Sequence, residues 1–227
     1  MSIRRDQILR CACDLYLAEG MDGFSMRKLA KCVGCTAPAL YRHYENKDAV
    51  MQDLVAEAYR QFTQYLYRAL EGGTPEERFR IAGQSYVDFA LEQPALYEII
   101  YVPVDLLGIH EVTSDAATQA CAVGQFWTDR VREMMDAGLI KRGDPHQVSM
   151  TLWAHGHGLV SIYHRGLLPV RSEEEFRSLV IESYLRVFSG IGTEAYQQLL
   201  NGEGHETAGE GENNREWITG TVGTAGG

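Results

Sequence analysis

Apolar residues recur along this chain at helical spacing, and almost nowhere at the alternating spacing of strands. Ile8, Cys11, Ala12, Leu15 and Tyr16 fall at i, i+3, i+4, i+7 and i+8, an amphipathic helix closed by Gly20. Ser25 precedes a short segment with Leu29, Ala30 and Val33, and Gly34 breaks it. Thr36 can cap a third helix with Pro38 in its first turn, where a missing N–H costs nothing. Asn46 can cap a fourth, running to about Leu70. After Gly72-Gly73, the run Thr74-Pro75-Glu76-Glu77 reads as a capping box opening a helix with Phe79, Ala82, Tyr86, Phe89 and Ala90. Pro94 interrupts it.

A short apolar helix with Leu96, Ile99 and Ile100 then ends before Pro103, and residues 104–115 fit no single state. Ala120, Val123, Trp127, Val131 and Met134 mark a helix from about Ala116 to Ala137. Two long helices are predicted over about 145–166 and 172–189, the second opened by the capping box Ser172-Glu173-Glu174-Glu175. From Asn201 onward 8 of 27 residues are Gly and the apolar periodicity stops, so that stretch is expected to be disordered. The pattern predicts an all-α chain: a helix-turn-helix domain over 1–47, a helical domain over 48–190 and a tail over 191–227.

Composition changes little in this picture. Hydrophobic residues make up 45% and charged residues 23% of the 227, as in ordinary globular proteins. Residues 145–164 carry no Asp, Glu, Lys or Arg, yet their four His and their Ser, Thr and Gln are too polar for hydrocarbon. A buried helix is expected there, and no membrane. The five Cys are an odd number, and nothing resembles a signal peptide, so reduced thiols in the cytoplasm are expected.

Charge changes it more. The net charge is −10, but residues 1–47 hold eight Lys/Arg against five acids, net +3, which leaves −13 on the remaining 180. A basic head on an acidic body points to a polyanion partner for the head. Residues 25–47 also hold three short helical pieces with a tight glycine break, the spacing of a helix-turn-helix. An ordinary corner between helices has the same spacing. Lys47 falls at the first position of the fourth helix, where the macrodipole disfavours a cation unless a phosphate docks there. Leu40-Tyr41-Arg42-His43-Tyr44 puts an arginine and several polar aromatic tips in one turn, some of which must face outward.

Ser25-Met26-Arg27-Lys28-Leu29-Ala30, Val33-Gly34-Cys35-Thr36, Leu40-Tyr41-Arg42-His43-Tyr44 and Lys47 together resemble the DNA-binding domain of the tetracycline-repressor (TetR) family. The resemblance implies a homodimer whose first three helices bind a double-stranded DNA operator and whose other helices bind a small effector and the partner subunit. It implies a transcription regulator, most often a repressor, and not an enzyme. Ser25 then caps the second helix and touches phosphate, Tyr41, His43 and Lys47 hold phosphates, and Thr36, Ala37, Pro38 and Ala39 face bases. Ala37-Pro38-Ala39 offers no side-chain donor. Base reading is therefore expected from thymine-methyl contact, Thr36, and Arg27 or Arg42, with DNA shape carrying the rest. Trp153-Ala154-His155-Gly156-His157-Gly158 resembles the WHG subtype of the family's ligand domain. Its two glycines weaken a helix unless another backbone comes close, which is expected across the dimer.

Tyr86, Phe89, Tyr97, Tyr101, Phe126, Trp127, Trp153 and His157 are the candidate lining of an apolar pocket for an aromatic or apolar effector, and each alone also suits a core. Cys32 and Cys35 form a CxxC at the helix-turn-helix corner, read as incidental small residues or as a redox switch. His155 and His157 lie on different sides of one helix and no carboxylate cluster completes a site, so no metal, cofactor or catalytic residue is expected. The alternative is a helical metal- or small-molecule-binding protein without DNA binding.

Overall fold

The structure is a computed structural model that describes residues 4–109 and 114–201. It is all-α. The helices are α1 (Arg5–Gly23), α2 (Met26–Val33), α3 (Ala37–Tyr41), α4 (Lys47–Leu66), α5 (Pro75–Glu92), α6 (Pro94–Tyr101), α7 (Ser114–Asp136), α8 (Pro145–His164), α9 (Glu173–Ile191) and α10 (Glu194–Asn201). A 3-10 turn, Tyr67–Glu71, follows α4, so the helix expected to reach Leu70 tightens after Leu66. Among the described residues no strand occurs, only an isolated bridge between Ile140 and Gly192. No described helix is long and apolar enough to cross a membrane.

Most helix starts follow from their caps. The side chains of Ser25, Thr36, Asn46 and Ser172 each accept a backbone N–H from the first turn they open. In the Thr74 box, Glu77 N–H donates to Thr74 Oγ1 at 3.1 Å and Thr74 N–H donates back to the Glu77 carboxylate at 3.0 Å. Gly20 interrupts α1 with a φ of 64°, as its position in the pattern suggests, but the helix resumes as far as Gly23. The 191–227 tail departs from expectation in its first part. Residues 194–201 form α10, because Thr193 caps it and Tyr196 is buried against Phe188 at 5.1 Å. The disorder expected beyond Asn201 lies outside the described residues.

The chain divides into two compact units, one of Met1–Arg68 with Gln84–Phe126 and one of Ala69–Gly83 with Trp127–Gly227. The boundary expected near residue 47 falls inside the first unit. There, α1 packs on α2, α4 and α6, and α2 on α3. Ile8, Leu29, Leu40, Val50, Met51, Leu54, Phe62 and Phe89 are all at most 2% exposed and form its interior. In the second unit Val131, Met134, Met135, Ile140, Leu152, Phe188 and Tyr196 make the core, with α8 against α9.

The expectation that all five cysteines are reduced thiols is corrected for two of them: Cys32 is bonded to Cys11, while Cys35, Cys13 and Cys121 are free. The CxxC spacing says nothing of Cys11, which the packing of α1 on α2 brings alongside.

Candidate nucleic-acid interface

The interface is built from three local devices. Ser25 Oγ accepts from Lys28 N–H at 3.3 Å and starts α2. Gly34 ends α2 with a φ of 76°, a left-handed conformation that a side chain would strain, and Cys35 N–H returns to Ala30 C=O at 2.9 Å. Thr36 Oγ1 then accepts from Ala39 N–H at 3.3 Å, with Pro38 in the first turn of α3. The glycine turn thus launches α3 at a fixed angle to α2.

Leu40, fully buried, pins α3 to the unit's interior, and the remaining side chains of α3 and its flanks face outward as a consequence. Thr36, Pro38, Tyr41, Arg42 and His43 are exposed, Tyr41 by 52%, while Ala37 and Ala39 are half-buried. Arg27 is exposed on α2, and Ser25 is half-buried at its cap. Lys47 is the exposed first residue of α4, one position after Asn46, whose Oδ1 accepts from Ala49 N–H at 2.8 Å. Every residue named from the sequence as a DNA contact therefore reaches the surface of one short stretch of chain.

What holds that stretch on α4 was not visible in the sequence. Tyr44 O–H donates to Asp53 Oδ2 at 2.5 Å, and Arg5 donates through Nε to the same oxygen at 2.8 Å and through Nη1 to Glu57 at 2.8 Å. Burial alone would raise the Asp53 pKa. Hydrogen bonds from Arg5 and Tyr44 outweigh it and hold the carboxyl below its usual range. Burial and the Asp53 charge push the Tyr44 hydroxyl up, so it stays a donor. The sign follows: a depressed folded-state pKa stabilises fully above the unfolded carboxylate range, about 4, and the stabilisation is lost as pH falls through the lower folded value. Asp53→Asn is expected to lower the neutral-pH melting temperature and to flatten the acid limb of the melting curve. An Asp53→Asn protein with unchanged acid melting would show the network to be inert.

The candidate ligand residues fall into separate groups. In the first unit Phe62 stacks on Phe89 at 4.9 Å and meets Tyr86 edge-on, Tyr86 meets Tyr97 at 5.9 Å, and Tyr97 meets Tyr101 at 4.7 Å. The Tyr86 and Tyr97 hydroxyls are hydrogen-bonded at 2.8 Å in the interior, and burial keeps the Tyr86 hydroxyl protonated by raising its pKa. Phe62, absent from the sequence list, ties this cluster to α4. Phe126 is half-buried at the end of the same unit. In the second unit Trp127 meets Phe79, and Trp153 stacks on His157 with ring centroids 5.5 Å apart, as their i, i+4 spacing requires.

The glycines beside that pair separate. A Cβ on Gly156 would lie 2.4 Å from the Tyr184 hydroxyl, whereas one on Gly158 would meet nothing within 4 Å. The neighbour of Gly156 is thus the Tyr184 side chain from α9 of the same chain, and not the second backbone that was expected. Tyr184 O–H donates to Leu152 C=O at 2.8 Å, and Ser183 Oγ and His155 Nε2 are hydrogen-bonded at 2.9 Å. Among the described residues no three His, Cys, Asp or Glu side chains gather as a metal site.

Residues 8–54 match the family described as bacterial regulatory proteins, tetR family, and residues 79–182 match the tetracyclin repressor-like C-terminal domain. The tetracycline repressor protein class A from transposon 1721 of Escherichia coli is 43% identical over 56 residues, 25% of this chain and 26% of its own length. This chain therefore matches about a quarter of that relative. The ketosteroid transcriptional regulator KstR2 of Mycobacterium tuberculosis superposes with a TM-score of 0.66 at 17% identity, covering 86% of this chain and 97% of that one. AibR in complex with isovaleryl coenzyme A and operator DNA superposes with a TM-score of 0.64 at 19% identity, covering 82% and 96%. At these identities the two structures show a shared fold.

Proposed function

We infer from a chain that carries a tetR-family helix-turn-helix domain ahead of a tetracyclin repressor-like C-terminal domain that it is a homodimeric, ligand-responsive transcription regulator. Its role is repression from a pseudo-palindromic DNA operator, relieved by a small, mainly apolar or aromatic effector. The observation that carries this reading is the outward row of Thr36, Tyr41, Arg42, His43 and Lys47 around a buried Leu40. α3 enters the major groove, where Thr36, Ala37, Pro38 and Ala39 meet bases and Arg27 or Arg42 reads an edge. Ser25, Tyr41, His43 and Lys47 hold the flanking phosphates. Two such heads read half-sites about 34–36 Å apart.

The dimer forms through α8 and α9. Support comes from Met150, Ile162 and Leu167, which are 47%, 39% and 69% exposed on or beside α8. Trp153, His157 and Gly158 are assigned to the WHG subtype on their spacing. The aromatic groups around Tyr86 and around Trp153 are the candidate effector contacts. An effector shifts the dimer only through unequal affinity for its DNA-competent and released states, typically about 1–3 kcal/mol of coupling. AibR, with both an acyl coenzyme A and operator DNA, engages the same two classes of partner.

Fluorescence anisotropy with a labelled duplex from the chain's own upstream region tests the reading. Lys47→Ala is expected to weaken binding to that duplex and to a scrambled one by a similar factor, about five- to tenfold, because a phosphate contact carries no sequence information. Unchanged affinity for both duplexes overturns the role of Lys47. Failure of the wild-type chain to prefer its own duplex overturns the regulator.

A further inference from the structure

Cys11, in the second turn of α1, and Cys32, in the last turn of α2, have Cα atoms 5.9 Å apart and are joined as a disulfide. That separation lies within the range a bridge spans without backbone movement. Cys32 is exposed and Cys11 half-buried, so a small reagent reaches the pair from the Cys32 side. Cys13 does not compete, because burial and Asp14 push its thiol up to about 11.

The position of the bond gives it leverage. Cys32 sits two residues before Gly34, and the turn that launches α3 is held by Gly34 N–H to Lys31 C=O and Cys35 N–H to Ala30 C=O, at 3.2 and 2.9 Å. A bridge at Cys32 therefore ties the end of α2, and the start of the groove-facing turn, to α1. Without it, that end of α2 is held to α1 by apolar packing and by Gln7 Nε2 donating to Val33 C=O at 2.9 Å.

We propose that Cys11 and Cys32 are a thiol–disulfide modification site through which low-molecular-weight disulfides set the DNA affinity of the head. The reduced pair reacts in two exchanges. The Cys32 thiolate attacks one sulfur of the small disulfide, whose S–S bond breaks, and the expelled thiolate takes up a proton. Cys11, having lost its proton, then attacks Cys32 Sγ in the mixed disulfide and displaces the second small thiol. Two protein thiols are oxidised and one small disulfide is reduced to two thiols. The bridged head holds α3 in the DNA-competent position, and the open head populates it only part of the time, so its apparent affinity falls by that fraction. The proposal rests on the DNA-binding reading of the head, but its chemistry is scored without DNA.

The test incubates the full-length chain with excess oxidised or reduced glutathione. Peptide mapping by mass spectrometry, thermal melting and anisotropy with the upstream duplex follow. A linked Cys11–Cys32 peptide is expected in the oxidised sample, with a melting temperature roughly 5–10 °C higher and DNA affinity on the order of tenfold tighter. Cys11→Ser and, independently, Cys32→Ser should abolish all three differences, whereas Cys35→Ser should keep them. Absence of the linked peptide, or a Cys32–Cys35 link in its place, overturns the site. A linked peptide with equal DNA affinity in both states overturns the switch. A duplex bound by neither state overturns the DNA-binding reading and the switch with it, while the peptide map and the melting shift still report the bond.

Discussion

Affinity for the operator is expected to fall about 10⁴-fold when salt rises from about 50 to about 200 mM, with a log–log slope near −7. The figure follows from about four phosphates held by each of two subunits and about 0.9 counterions released per phosphate. Ser25, Tyr41, His43 and Lys47 are the proposed contacts, and all four reach the surface of one helix-turn-helix. The 180 residues after 47 carry a net −13, so on average they repel a phosphate backbone. A titration series across five salt concentrations measures the slope. A flat dependence removes the phosphate assignments, and a slope near −3 removes about half of them or the second subunit.

Gly156→Val is expected to destabilise the second unit by about 2–3 kcal/mol and to lower the melting temperature by roughly 4–12 °C. The new Cβ would stand 2.4 Å from the Tyr184 hydroxyl. Tyr184 cannot move aside freely, because its hydroxyl donates to Leu152 C=O at 2.8 Å and its ring meets His155 at 5.0 Å. Displacing it leaves a buried hydroxyl and a carbonyl without their bond. Gly158→Ala makes the contrast. Nothing lies within 4 Å of its added Cβ, so α8 should gain about 0.5–1 kcal/mol of helix propensity. If the dimer packs on Gly158, the same variant dissociates at higher concentration than the wild type, which sedimentation reads separately from melting. Equal melting of Gly156→Val and the wild type would show that α9 does not hold Tyr184 where it stands.

The caps at Ser25, Thr36, Asn46 and Ser172, the turn at Gly34 and Lys47 at the start of α4 all follow from residue types within the local sequence. Residues 191–201 are expected as tail, although Tyr196, Leu199 and Leu200 stand at i, i+3 and i+4. A single turn of apolar spacing is too short to separate from chance until its receiving surface, Phe188, is known.

Local spacing fixes what lies within a few residues of its cause: helix starts and stops, the apolar stripes, the basic head and the exposed turn around α3. Hydrogen bonds between a cap and its own first turn, and the 3.6-residue period, need no partner elsewhere. Helix packing brings Arg5 and Tyr44 to one carboxylate, Asp53, joins Cys11 to Cys32, and sets Tyr184 against Gly156. Those pairings join positions far apart in the chain, whose meeting depends on how whole helices pack, and side-chain spacing along one helix carries no record of the helix beside it.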